Sequence, residues 1–218
     1  MIRKNCNLME FAPIMTSQNT PSSASENADN NKESSKESTR EKLLTLASEL
    51  MREKGYAGFS YADLAQAIGI KKASIHHHFP SKADLGVAVV ADSYAKVQGA
   101  FAQIEANYDS LAERLTAYVA LFAESLDRLP MCASLVADKH HLPAELLAKT
   151  PDNFTLQLDW LERILTHAIA TGEIGERDVP DTALMILNLC EGAGLVANAL
   201  GDKGVFERTL EFVLRLAS

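Results

Sequence analysis

From about residue 39 onward, apolar residues recur at the three-to-four-residue spacing of helices, and alternating β-branched runs of the strand kind are absent. Leu43, Leu44, Ala47, Leu50 and Met51 mark one face of a helix that Ser38 or Thr39 can cap and Gly55 can end. Leu111, Leu115, Tyr118, Val119, Phe122, Leu126 and Leu129 predict another helix, halted before Pro130. Leu158, Leu161, Leu165, Ala168 and Ile169 predict a third, stopped by Gly172 and Gly175. The last two helices, near 180–200 and 203–217, are apolar on more than one side. Ala183, Leu184, Met185, Ile186, Leu187 and Leu189 cover more of a helix than one core needs, so part of that surface is expected to face another subunit. The pattern predicts an all-α protein.

Between Gly55 and Leu85 the pieces become short. Ser60 caps a two-turn helix whose inner face carries Leu64, Ala65 and Ile68, with Asp63 placed for a capping box and Gly69 at its end. Ile70 follows as an apolar plug, and Lys71 to Phe79 predict a second short helix before Pro80. Helix, tight glycine turn, apolar residue and second helix make the helix-turn-helix layout. Small residues at the start of the second helix, Ala73 and Ser74, let the backbone approach a DNA groove, while Lys71 and Lys72 can pair with phosphates or guanine acceptors. Ser81 caps a long helix whose first residue, Lys82, adds a cation beside free N–H groups. A solvated surface turn accounts equally well for the lysines taken alone.

Residues 1–38 read differently. From Thr16 to Thr39 the chain is rich in Ser, Asn, Glu and Lys and too poor in apolar residues to offset the entropy of ordering, which predicts a disordered tail. An apolar patch at Leu8, Met9, Phe11, Ile14 and Met15 interrupts it without an assigned role. No secretory apolar run follows Arg3 and Lys4, no long run suits a bilayer, and three scattered cysteines suit a reducing compartment, so a cytoplasmic protein is expected. The net charge of −8 argues at first against a nucleic-acid partner. Divided along the chain, it changes meaning: residues 40–85 hold seven Lys and Arg against five Asp and Glu, whereas residues 86–218 hold ten against nineteen. A mildly basic head, 39–85, therefore precedes an acidic helical body, 86–218.

Arg40-x-x-Leu43-Leu44-x-x-Ala47, Lys54-Gly55-Tyr56, Ser60-x-x-Asp63-Leu64-Ala65, Gly69-Ile70 and Ile75-His76-His77-His78-Phe79-Pro80-Ser81-Lys82-x-x-Leu85 together resemble the DNA-binding domain of the tetracycline-repressor (TetR) family over about residues 40–88. The resemblance implies a three-helix DNA-binding head, a homodimer formed largely by the last two helices, and a small-molecule pocket in the body. It further implies a regulator, in most relatives a repressor, released from a palindromic operator when an effector changes the separation of the two heads. By position, Ser60 and Lys82 are implied to hold phosphate, with Lys72, Ala73 and Ser74 facing the groove. His76 stands where the family usually has tyrosine, and an imidazole there implies tighter binding as pH falls. His77 is expected to face outward beside it, and Lys71, where the family often has Ser or Thr, adds a second cation.

In the body, Phe101, Tyr118, Phe122, Trp160, His167 and Asn188 are candidate ligand-binding residues, with Glu191 and Asn198 following on an otherwise apolar helix. Packing in an ordinary core accounts for the aromatics as well. Cys132, just after Pro130, is a candidate electrophile- or redox-sensing thiol because a helix N-terminus lowers a thiol pKa; a small buried apolar residue is the alternative. Three consecutive histidines cannot converge on one ion, since helix neighbours point about 100° apart, and no metal or other cofactor is expected. Gly192 and Gly194 lack the strand and the Lys-Ser/Thr of a nucleotide loop, so close helix approach at a dimer interface is expected of them. No nucleophile–base spacing suggests an enzyme. A helical ligand-binding or interaction protein without operator recognition is the rival reading.

Overall fold

The structure, a computed structural model, describes residues 30–124 and 129–218, with side chains from residue 39 onward. Leu126, Cys6 and most of the expected tail lie outside the described residues. Nine α-helices and no strand occur among those described: α1 Asn30–Lys54, α2 Tyr61–Ile68, α3 Lys72–His78, α4 Lys82–Asn107, α5 Leu111–Ala123, α6 Met131–Ala137, α7 Ala144–Ala170, α8 Val179–Leu200 and α9 Gly204–Leu216. A single 3-10 turn, Lys139–His141, links α6 to α7.

Local chemistry sets most of these boundaries. Ser60, Ser81 and Ser110 each form a capping box, with Asp63, Asp84 and Glu113, at the starts of α2, α4 and α5. Gly69 ends α2 in the left-handed region at φ 75°, and its N–H donates to Ala65 O at 3.0 Å. A side chain is strained in that conformation, so the tight turn of the helix-turn-helix needs this glycine. Helix α1 begins at Asn30, ahead of the expected cap at Ser38 or Thr39. Lys32, Glu33, Lys36 and Glu37 are good helix formers with no Gly or Pro among them, so nothing halts the helix there.

Two apolar cores form. One gathers Leu43, Ala47 and Met51 of α1, Leu64 of α2, Ile75 of α3 and Leu85 of α4. Met131 and Leu135 of α6 and Leu146 of α7 complete it, so residues distant in sequence pack under the head. The second core lies among α4, α5, α7, α8 and α9 around Ile104, Leu115, Leu161, Ile186 and Phe206. Helix α4 passes without a break from one to the other, and residue 85 falls in its first turns. Gly194 corrects an expectation: a Cβ there would stand 2.8 Å from Cγ of Pro130 in the same chain. Its close approach is made within the monomer, to the residue that precedes α6, and not at a dimer interface. Gly192 is exposed with open space around it.

Candidate DNA-reading head and the cavity behind it

Helix α3 presents itself almost entirely to solvent. Of its residues only Ile75 is buried, anchoring the helix, while Lys72, Ala73, Ser74, His76 and His77 are exposed together with Lys71 at its N-terminal edge. His78 is half-buried, with its ring 6.5 Å from that of Phe79. The buried phenol of Tyr61 sets the position of α3: its oxygen lies 2.9 Å from Phe79 O and 2.6 Å from Ser81 O, joining α2 to the turn between α3 and α4. The His76 ring packs edge-on against Tyr61, and its Nδ1 lies 3.1 Å from Pro80 O. A carbonyl only accepts, so Nδ1 carries the proton.

Two expected phosphate ligands sit in more engaged surroundings than the sequence suggests. The Ser60 hydroxyl accepts from Ala62 N at 3.2 Å and donates to Asp63 at 2.8 Å, and that bond together with one from the Ser60 N–H at 2.7 Å holds the Asp63 carboxyl below its usual range. Lys82 turns inward: its ammonium donates to Phe59 O and lies 4.2 Å and 4.7 Å from the ring centres of Phe59 and Tyr56. Burial lowers its pKa, against the attraction of Asp138 and Asp63. Lys82 thus ties α4 to the α1–α2 connection, a role that residue type alone did not reveal.

Behind the head lies a cavity of about 370 Å³. Thr45, Ser48, Glu49 and Arg52 of α1 form one wall; Phe101, Tyr118, Phe122 and Cys132 line the interior with Asn153, Gln157 and Glu191. Tyr118 is fully buried and its hydroxyl donates to Gln157 Oε1 at 2.9 Å. Trp160 stacks on Phe101 at 4.3 Å between ring centres, but lies behind the lining, with its indole N–H donating to Glu105 at 2.8 Å. It borders a separate hollow of about 220 Å³. His167 and Asn188 are exposed and line neither space, a correction to their candidacy. Both lie on helix faces turned from the core, an orientation that side-chain chemistry does not report. Asn153 and Gln157 were missed, although two amides one helical turn apart inside the buried stripe of α7 are a readable signal.

Cys132 also departs from expectation. It occupies the second position of a seven-residue helix, yet it is 6% exposed, and burial pushes its thiol up to about 12. Burial, with the nearby Glu191, governs this thiol, against the lowered pKa expected from its place near a helix N-terminus. Among the described residues no group of three His, Cys, Asp or Glu is placed to hold a metal ion; His141 Nδ1 instead pairs with Asp138 Oδ1 at 2.6 Å.

Short helix α6 connects the two regions. Its start lines the cavity through Met131 and Cys132, while Ser134 Oγ donates to Met51 O at 2.6 Å and Asp138, just past its end, accepts from Ala57 N at 3.2 Å.

A helix-turn-helix head with an exposed second helix, mounted on a helical body that holds a cavity, defines a DNA-binding transcriptional regulator. Residues 43–89 match the family model for bacterial regulatory proteins of the tetR family. A TetR-family regulator from Agrobacterium tumefaciens superimposes with a TM-score of 0.77 at 31% identity, covering 83% of this chain and 97% of its own. The corresponding figures for a TetR regulator from Legionella pneumophila are 0.72, 32%, 81% and 96%. The HTH-type transcriptional regulator CymR of Pseudomonas putida is 25% identical over 182 residues, 81% of this chain and 87% of its own. The chain belongs to the TetR family of transcriptional regulators.

Proposed function

We propose that the chain acts as a homodimer on a palindromic operator, most simply as a repressor in the cytoplasm, and that a small molecule entering the cavity releases it from DNA. The observation that carries this reading is the shared wall. One side of the cavity is α1, a helix of the head, and another is the start of α6, whose Ser134 and Asp138 are hydrogen-bonded to the end of α1 and the turn after it. A ligand that moves α6 relative to α7 and α8 necessarily strains those bonds, which gives it a differential interaction with two head positions. Lys71, Lys72, Ala73, Ser74, His76 and His77 are assigned to the DNA face, and Ser60 and Lys82 to setting the helices that present it.

The dimer contact is assigned to α8 and α9. Leu184, Met185, Leu195, Val196 and Leu200 of α8 and Phe212 of α9 are exposed large apolar residues, the kind of surface that marks an interaction site. Helix α8 is also long and apolar enough to cross a membrane, but its other face packs in the body core through Ala183, Ile186, Leu187 and Cys190. A second copy accounts for the remaining apolar surface and pairs two α3 helices for two half-sites.

A filled cavity should imitate the ligand. Ala100, a buried α4 residue in the cavity wall, replaced by leucine is expected to lower affinity for duplex DNA from upstream of the chain's own gene by about tenfold, a coupling of about 1.4 kcal/mol. Fluorescence anisotropy measures it, with sedimentation checking that the variant remains a folded dimer. Wild-type affinity in a folded Ala100→Leu dimer would show that the cavity does not control the head.

A further inference from the structure

The cavity contains a charged group that the helical bundle does not need. Glu191 lies on the cavity side of α8, and both of its carboxylate oxygens are buried without a hydrogen-bond partner. Oδ1 of Asn153, on the wall formed by α7, is in the same condition. These three atoms all accept hydrogen bonds, and they adjoin an aromatic lining of Phe101, Tyr118 and Phe122. An unpaired buried acceptor costs free energy until a donor arrives.

Among the described residues no cation is bonded to Glu191. On α7 the Gln157 amide lies near enough to ease its charge slightly, without a hydrogen bond of ordinary geometry. Helix α5 faces it with the neutral phenol of Tyr118, α6 with the Cys132 thiol, and α8 itself with the Cys190 thiol, which burial also pushes up. Glu207, Arg208, Glu211 and Arg215 of the neighbouring α9 are exposed. The two cations elsewhere in the lining are engaged: Lys96 of α4 pairs with Asp92 at 2.8 Å, and Arg52 of α1 donates to Leu129 O at 2.6 Å. Glu49 of α1 adds a further acid to the lining.

We propose that the cavity takes a small aromatic organic cation, a protonated amine whose N–H groups donate to the Glu191 carboxylate and Asn153 Oδ1 while its apolar part packs on Phe101, Tyr118 and Phe122. This assignment rests on the cavity being the effector site. An ammonium group brings the donors that the orphaned oxygens lack, and aromatic faces attract cations. A carboxylate ligand brings more acceptors to a wall that already has too many. Burial raises the Glu191 carboxyl to about 7, so below that pH the empty site holds a proton. Amine binding requires the carboxylate, and the displaced proton leaves to solvent. Affinity should therefore rise about tenfold from pH 6 to pH 8, a range in which simple alkylamines stay protonated.

The single tryptophan, Trp160, stacks on the cavity residue Phe101 and supplies the signal. The full chain is titrated with 2-phenylethylamine and 3-phenylpropylamine, and with the alcohols and carboxylates of the same skeletons, at pH 6 and pH 8. The amines are expected to bind at least about tenfold tighter than the matched alcohols at pH 8. E191Q should lose that preference and the pH dependence while still binding the alcohols, which shows that its fold and cavity are intact. Amines binding no tighter than alcohols or carboxylates, undiminished amine binding by E191Q, or no binding of any compound would overturn the proposal. Tighter binding of the alcohols or carboxylates would leave the effector cavity standing and remove only the ligand class. Amines that bind through Glu191 without changing DNA affinity would support the ligand class and remove the effector role.

Discussion

Side chains of the same type take opposite roles here according to what surrounds them. Lys71 and Lys72 stand in solvent at the start of α3, whereas Lys82, eleven positions beyond Lys71, is folded against two aromatic rings and a carbonyl. Sequence spacing singles out all three, but only packing separates an exposed cation from an internally bonded one. Glu191 was visible as an acid in an apolar helix, and its consequence appears only with its unpartnered oxygens. Its carboxyl rises from an ordinary value of 4.5 to about 7, so the native state holds a proton that the unfolded chain has lost in that interval. Its penalty on stability is therefore absent below about pH 4.5, grows as pH rises, and is complete above about pH 7. Glu191→Gln should stabilise the ligand-free chain by something on the order of 2–3 kcal/mol at pH 8 and by almost nothing at pH 4. Urea unfolding at the two pH values checks this, and an equal gain at both would mean that the carboxylate is not held neutral.

Helix ends were the most legible elements, because their signals are local. Ser60, Gly69 and Ser81 act within a turn of themselves, and the structure uses each as a cap. Contacts between elements were less legible. Gly194 reads as a helix-packing glycine, but its neighbour is Pro130, sixty-four residues earlier, and no local rule supplies that pairing. A Cβ at Gly194 would press on a rigid ring that precedes α6, so Gly194→Ala should destabilise the protein by about 1–2 kcal/mol. Gly192→Ala, on the same helix with nothing within 4 Å in its own chain, meets no such ring and should escape this loss. Equal effects of the two substitutions on the urea midpoint would remove the α8–Pro130 contact from the account. The cavity itself was the least legible feature, since it is made by side chains from α1, α4, α5, α6, α7 and α8 converging at one point.

At the scale of the molecule, charge and apolar surface divide the labour. The acidic surplus resides beyond residue 85, and most of the exposed large apolar residues lie on the two C-terminal helices. Both divisions could be read from the chain, the first by counting charges in segments and the second from helices apolar on several sides. With only a modest positive balance in the head, nonspecific attraction to phosphate is limited, and the proposed reading leaves specificity to the exposed face of α3. The measurement closest to this claim is the affinity of the full chain for duplex DNA from upstream of its own gene, set against a scrambled duplex across a salt series, for wild type and Lys72→Ala. The account predicts a preference of about a thousandfold or more for the upstream duplex and two protected half-sites about one helical turn apart. It also predicts a uniform loss of affinity in Lys72→Ala, with the salt slope reduced by about one if the lysine meets phosphate, or a loss confined to one base position if it reads guanine. Equal affinity for both duplexes, or no effect of Lys72→Ala, would contradict it.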